Sequence, residues 1–430
     1  MLLSWLYNLL QILVLVLSAP VWLLLALRPK YRHRIAGRLG WGLPAAAARA
    51  ADRPLIWLHA LSLGEVSSAA PLIAGLRRAL PQACLILTTT TSSGHRFAQE
   101  RLAASLDHIL PAPFDLYGTV RRFHQRLRPD LFLLVETDFW PNWLAVLARR
   151  QVPLVLVNGR ISARSWQQYQ RYAFFFRPLF QHFSLLCTQT AEDAERMAAM
   201  GLAAEKIAVL GNLKYASLRH RLVPPFAASA LGFAPQAPIW VCGSTHPGEE
   251  TSILQAFLRL RQDFPRLELL LAPRNPGRGE EIAALAGSMD LACRRRSHPA
   301  PQTGPILLLD TLGELAACYA CATVAFIGGS LVAAGGHNPL EAAALGLPVL
   351  HGPHMEDFQE IARDLAQAGA ARTVADADEL TAAMTALLAD PAVRRRMGEA
   401  ATAVVARHEA VVEAHLARIL PLCRPCPAVA

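Results

Sequence analysis

Thr323-Val324-Ala325-Phe326-Ile327-Gly328-Gly329-Ser330 runs on to Gly335-Gly336-His337-Asn338-Pro339-Leu340-Glu341 and Ala342-Ala343-Ala344-Leu345. An apolar run ends in glycines, a second glycine pair follows, and a helix-forming run begins. Such a pattern predicts a buried strand, a glycine-rich loop and a helix start. Asn338 suits the N-cap, Pro339 the first helical position and Glu341 the third. Amide hydrogens and the helix dipole at such a point attract an anion, commonly a phosphate, and glycines let it approach the backbone. A carboxylate one turn in can accept hydrogen bonds from ribose hydroxyls. The same residues also satisfy the capping-box pattern, in which Glu341 only caps its own helix.

The pattern repeats along the chain. Leu55 to His59 is a short apolar strand ending in Leu61-Ser62-Leu63-Gly64-Glu65, and Ala69 to Leu80 has helical spacing. Cys84 to Leu87 leads into Thr88 to Gly94. Leu131 to Val135 leads into Glu136-Thr137-Asp138-Phe139-Trp140-Pro141-Asn142, and Leu154 to Val157 into Asn158-Gly159-Arg160. Phe183 to Cys187 and Ile207 to Leu210 follow, the latter running into Gly211-Asn212-Leu213-Lys214. A second series starts at Pro238 to Cys242 with Gly243-Ser244-Thr245-His246. It continues through Leu267 to Leu271 with Ala272-Pro273-Arg274, and Ile306 to Leu309 with Asp310-Thr311-Leu312-Gly313-Glu314. From Glu356 to about Leu420 the chain reads as helical. Apolar strands alternating with helices, with polar or glycine residues at strand C-termini, predict an α/β fold of parallel doubly wound sheets with ligands beyond those ends. We expect an N-terminal anchor at 1–30, a first Rossmann-like domain at 31–220, a linker at 221–236 and a second Rossmann-like domain with a helical tail at 237–430. The two domains should face a cleft.

The formal charge of the 430-residue chain is +9, which suits an anionic substrate or surface. Nucleic acid is disfavoured, because no basic stripe interleaved with aromatics appears. Eight cysteines do not make a disulfide scaffold at this length. The pairs Cys318/Cys321 and Cys423/Cys426 have zinc-like spacing, but no histidine pattern supports a shared site.

Met1 to Leu27 contains no charged residue, and Arg28, Lys30, Arg32, His33 and Arg34 follow at once. Charge after the apolar run rather than before it predicts a retained anchor instead of a cleaved signal peptide. The positive-inside rule then puts the main body on the cytoplasmic side. Pro20 allows the alternative of a helix lying in one leaflet.

Glu65 falls at the end of the first strand and the start of a helix. It is a candidate general base for a sugar hydroxyl, or a carboxylate that only complements the helix dipole. Glu136 and Lys214 also sit at strand ends, able to stabilise developing charge or to form a buried ion pair. Arg274, Gly313-Glu314 and the Asn338 loop supply a cation, amides and carboxylates for a nucleotide. No P-loop lysine follows Gly243-Ser244-Thr245, and no G-x-G-x-x-G opens the first half.

His59-Ala60-Leu61-Ser62-Leu63-Gly64-Glu65, Glu136 to Asn142, Asn158-Gly159-Arg160-Ile161-Ser162, Gly211 to Lys214 and Gly328 to Glu341 occur in one order. In that order, behind the anchor, the chain resembles the 3-deoxy-D-manno-octulosonic acid (Kdo) transferases. The resemblance extends from the anchor to about His354. It implies an inverting glycosyltransferase of the GT-B fold moving Kdo from CMP-Kdo to the lipid A precursor in lipopolysaccharide assembly. The reaction would take place at the cytoplasmic face of the inner membrane, whose lipids the anchor contacts. By the same resemblance Glu65 is the general base, and Glu136 and Lys214 are transition-state stabilisers. Pro273, Arg274, Leu312, Gly313, Glu314, Asn338, Pro339, Leu340 and Glu341 are the CMP contacts, and no metal is needed. Asp138 stands where the family more often has glutamate, and Ala216 where aspartate is common.

Three other readings remain open at this level. One is a different GT-B enzyme, such as an epimerase or a UDP-sugar transferase. The second is a membrane-anchored binding protein without turnover. The third is a metal-dependent hydrolase using His59, His246, His337, His351 and His354.

Overall fold

In the computed structural model, residues 2–27, 35–44, 53–216, 225–298, 303–408 and 410–423 are described. The chain divides into two units, Met1–Ser217 with Ala410–Ala430, and Leu218–Glu409.

The first unit holds a seven-stranded sheet. Its strands are β1 (Leu55–Ala60), β2 (Cys84–Thr89), β3 (His108–Pro111), β4 (Leu131–Val135), β5 (Leu154–Gly159), β6 (Leu185–Thr188) and β7 (Ile207–Val209). They run in parallel in the order β3-β2-β1-β4-β5-β6-β7. Helices cover both faces, which is why β1 is buried at all six positions and reads as a continuous apolar run. Ile56 and Leu58 point into one apolar cluster with Val66, Leu72 and Ile73 of the helix Leu63–Ala79. Leu55 and Trp57 point into the other, with Phe123, Phe132 and Trp143.

Sequence periodicity carried the second domain to residue 430. The contacts instead return the chain from Ala410 onward to the first unit. Helix Val411–Ile419 buries Val411, Val412 and Ile419 in the same cluster as Ile56 and Leu58. Gly75 makes room for it: a Cβ there would lie 2.9 Å from Leu416 Cδ1.

The second unit repeats the plan. Its strands are β8 (Ile239–Thr245), β9 (Glu268–Pro273), β10 (Cys293–Arg295), β11 (Ile306–Leu308), β12 (Val324–Ile327), β13 (Val349–His351) and β14 (Ala371–Thr373). They are parallel in the order β10-β11-β9-β8-β12-β13-β14. Residues 356–420 are therefore not all helical, since β14 forms an edge of this sheet. In each sheet the winding direction reverses once, between β1 and β4 and between β8 and β12. Loops leaving the C-terminal ends of those strand pairs splay apart and leave a crevice for ligand.

Leu2–Leu27 is one helix containing Pro20. Among the described residues no helix is long and apolar enough to cross a membrane, so the expected spanning anchor is not found. A polar stripe on this helix is bonded to the first unit. Tyr7 Oη donates to Asp115 Oδ2 at 2.7 Å, Gln11 Nε2 to the Asp115 carbonyl at 3.0 Å, and Asn8 Nδ2 to Asn142 Oδ1 at 3.1 Å. Leu6, Leu9, Leu10, Leu13 and Leu17 are each more than half exposed. The basic residues from Arg28 to Arg34, residues 221–224 of the expected linker, and Cys426 lie outside the described residues. Cys84, Cys187, Cys242, Cys293, Cys318, Cys321 and Cys423 are free thiols.

Candidate functional site

In the first unit the residues of interest gather at the switch point. Glu65 lies in the first turn of Leu63–Ala79, directly after β1. Ser62 caps this helix by accepting from the Glu65 amide, and the Glu65 carboxylate accepts from the Leu61 amide. These bonds hold the Glu65 carboxylate at the helix N-terminus, but they do not exhaust its chemistry. Burial, then the neighbouring Glu136 charge, push its carboxyl from 4.5 to about 8. A carboxyl in that range can take up a proton near neutral pH.

Glu136 follows β4, the strand beside β1. Its φ is +61°, and Asn158 at the end of β5 has φ +54°. Non-glycine residues adopt this left-handed region at a cost of roughly 1–3 kcal/mol, and they do so where the surroundings over-determine them. Asn158 is fully buried and supplies that constraint. Its Nδ2 donates to Glu136 Oε1 at 3.4 Å, its Oδ1 accepts from the Leu213 amide at 2.9 Å, and its carbonyl accepts from Gln189 Nε2 at 3.0 Å. Lys214 sits in the short helix Leu213–Ala216, which packs against the helix carrying Glu65. Asn212 Oδ1 accepts from the Lys214 amide. Asn158 therefore ties Glu136 to the Lys214 segment, a role its place in a motif did not disclose.

A second feature is His59 near the end of β1, which the sequence offered only as a candidate metal ligand. It is fully buried, and its Nε2 lies 2.9 Å from Asp138 Oδ2.

In the second unit, Arg274 follows β9 and is exposed, and its amide donates to the Thr245 carbonyl at 2.9 Å. Pro273 closes β9. Leu312 is 79 % exposed, beside Gly313 in the left-handed region at φ +86°. Glu314 is held by Arg296, at 2.9 Å, and by the Thr311 hydroxyl; the Arg296 hydrogen bonds hold its carboxyl below the usual range.

The Asn338 loop departs from expectation in two ways. The helix spans Leu340–Ala343, so Pro339 rather than Asn338 occupies the N-cap place. Asn338 still accepts from the Leu340 amide at 3.1 Å, so that amide is already engaged. Leu340 is fully buried, and Glu341 lies in the first turn. Four residues make a weak dipole. The amides of Gly329, Ser330 and Leu331 are taken as well, by the buried carboxylate of Glu249. Anion attraction by open amides is therefore reduced here, and side chains must supply more of it.

Beside this loop lies a histidine pair. His246, after β8, and His337, before the short helix, face each other with Nε2 atoms 2.9 Å apart. Gly329 lies beneath both rings, at φ +69°, where a Cβ would come within 3.1 Å of His337 and 3.3 Å of His246. Burial, with the Arg274 and His246 charges, pushes His337 down to about 4, which leaves it neutral at pH 7. His59, His351 and His354 do not join this pair. Among the described residues no three His, Cys, Asp or Glu side chains converge as metal ligands, so the hydrolase reading lacks a centre.

A family model of 3-deoxy-D-manno-octulosonic-acid transferase (kdotransferase) matches residues 33–217, the stretch that includes Glu65, Glu136 and Lys214. A 3-deoxy-D-manno-octulosonic acid transferase from Haemophilus influenzae is 34% identical over 92% of this chain and 92% of its own length. The chain belongs to the Kdo transferase family. It is accordingly an enzyme, a glycosyltransferase of lipopolysaccharide synthesis. The Kdo transferase of Bordetella pertussis is 38% identical over 86% of this chain and 87% of its own. Residues 307–404, which include Glu314 and Glu341, match the model of glycosyl transferases group 1. A UDP-GlcNAc 2-epimerase from Neisseria meningitidis shares the fold, with a TM-score of 0.62 over 86% of this chain and all of its own. At 13% identity that likeness concerns the fold alone. Within this Kdo transferase, the two parallel seven-stranded sheets are of the GT-B kind.

Proposed function

We propose that the enzyme transfers Kdo from CMP-Kdo to the lipid A precursor with inversion, Glu65 acting as general base. What supports this is the place of Glu65 in the first helical turn after β1, with the Glu136 charge acting on its carboxyl, in a chain of the Kdo transferase family. An acceptor hydroxyl gives its proton to the Glu65 carboxylate as its oxygen attacks the anomeric carbon of Kdo. The bond to the CMP phosphate breaks, and CMP leaves with the electron pair. Glu136 offsets positive charge developing on the sugar, and Lys214 offsets developing negative charge.

Arg274 and the His246–His337 pair meet the donor phosphate, Glu341 the ribose, and Leu312 with Gly313 and Glu314 the base. One phosphate needs one strong cation, so this site works without a metal. The enzyme works at the cytoplasmic face of the inner membrane. There the exposed leucines of Leu2–Leu27 rest on the leaflet, and the basic run after them meets anionic headgroups.

Mass spectrometry and anomeric NMR of the lipid product, from CMP-Kdo and lipid A precursor with and without EDTA, test the reaction. Glu65→Ala should abolish transfer and leave CMP binding intact. Full transfer by Glu65→Ala, product with retained configuration, or loss of activity in EDTA removes the corresponding part of the reading.

A further inference from the structure

His59 and Asp138 make an arrangement that the reaction as drawn does not use. Its proton content follows from hydrogen-bond accounting. Trp57 Nε1 donates to Thr88 Oγ1 at 2.9 Å, and the Thr88 hydroxyl spends its own proton on the Leu58 carbonyl at 3.2 Å. His59 Nδ1 lies 3.0 Å from both the Thr88 carbonyl and Thr88 Oγ1. The Thr88 carbonyl has no proton to give, so Nδ1 is the donor to it. The opposite nitrogen, Nε2, faces Asp138 Oδ2 at 2.9 Å. A bare nitrogen lone pair would repel a carboxylate oxygen at that distance, so one proton lies between them. Whether it is drawn on the imidazole or on the carboxyl, the pair sums to zero charge. Trp143 packs edge-on against the imidazole at 4.6 Å and helps fix its plane.

We propose that His59 and Asp138 are a one-proton, electrically neutral positioning pair, and that this neutrality keeps Glu65 usable as a base. The effect on Glu65 rests on the general-base reading, whereas the proton count does not. Three carboxylates meet here: Glu65 after β1, and Glu136 and Asp138 after β4. Asp138 acts electrostatically on both Glu65 and Asp115. From the remaining elements against the imidazole come Thr88 and Trp143, which carry no charge. Without the shared proton, the negative charge of Asp138, which already adds to the rise of the Glu65 carboxyl, would act on it in full. Its proton affinity would then rise beyond the range in which it can hand a proton on to water. The pair also pins the Glu136 loop to β1, holding the strained Glu136 backbone beside Glu65.

The test begins with the intact protein, 15N-labelled at histidine, followed by NMR between pH 6 and 8.5. His59 should show a proton on Nδ1 and a proton carried or shared at Nε2. Asp138→Asn keeps the shape and the zero charge, because its amide donates to a bare Nε2. The Nε2 signal should then move to that of an unprotonated nitrogen. A bare Nε2 in the unaltered protein overturns the proposal.

The pH profile of kcat/KM supplies the second readout. His59→Phe leaves Asp138 as a lone carboxylate, and the acidic limb should move up by about one pH unit. Asp138→Asn should lower kcat/KM by up to about tenfold while its limb stays in place, since one charge-assisted hydrogen bond becomes a neutral one. The double variant should bring the limb back to its original position. A purely structural role predicts the opposite, with the double variant no better than His59→Phe, and that result overturns the proposal. If Glu65→Ala retained transfer, the base assignment would fall while the NMR proton count still stood.

Discussion

Glu65→Gln should stabilise the first unit at alkaline pH while stopping the reaction. In the folded chain burial and Glu136 lift the carboxyl from 4.5 to about 8. Below pH 4.5 it is protonated whether folded or unfolded, and it costs nothing. Between 4.5 and 8 the unfolded chain releases the proton and the folded chain retains it, so stability falls as pH rises. Above 8 the full difference is reached and the curve flattens. Each pH unit of separation corresponds to about 1.4 kcal/mol, which sets a ceiling of about 5 kcal/mol. Partial solvent access lowers the expected figure to about 2–4 kcal/mol. Glutamine cannot ionise, yet its Oε1 can still accept from the Leu61 amide, so the cap survives the exchange. Urea unfolding of both proteins at pH 5, 7 and 9 measures the effect. The two should be within about 1 kcal/mol at pH 5 and differ by about 2–4 kcal/mol at pH 9, with the variant more stable. A difference that does not change with pH would show that Glu65 ionises as it would in water, and the argument for its basicity would fail.

Three further outcomes follow from named contacts. Glu249→Gln places amide hydrogens against the amides of His246, Gly329, Ser330 and Leu331. Urea unfolding should show a loss of about 2–4 kcal/mol in the second unit, and calorimetry a weaker CMP affinity; unchanged stability would show that Glu249 does not hold the loop. Asn158→Ala removes the partner of Glu136 and of the Leu213 amide; kcat should fall by more than tenfold while the KM for CMP-Kdo changes little, and an unchanged kcat would sever Asn158 from the site. Glu341→Ala should weaken CMP binding by tenfold or more with a melting temperature within a few degrees of the parent; unchanged affinity would return Glu341 to a purely local role in its helix.

What could be read from residues alone depended on where each strand sits in its sheet. Strands β1, β4, β8 and β12 lie in the interior of their sheets and are buried on both faces, so their apolar runs stand out. Strands β3, β7, β10 and β14 lie at sheet edges, are only partly buried and are short; the apolar run of β7 still shows it, whereas the composition of β3, β10 and β14 does not separate them from loop. Helix Val411–Ile419 shows the same limit: its periodicity says that it buries a face, not which sheet it covers. For the site, Glu65 and Glu136 were legible because each is a charged residue directly after an apolar strand. Their neighbourhood was not, because it depends on β1 lying beside β4, seventy-odd positions away in sequence. That strand order brings Asp138 to His59, and Glu136 to Glu65, with no local signal at either end. A parallel sheet that reverses its winding direction places the ends of distant strands side by side. The chemistry of this enzyme therefore resides in pairs that only the strand order creates. The His59–Asp138 contact is the clearest of them: two polar residues that nothing in their own segments links, brought to 2.9 Å only because the winding reverses there.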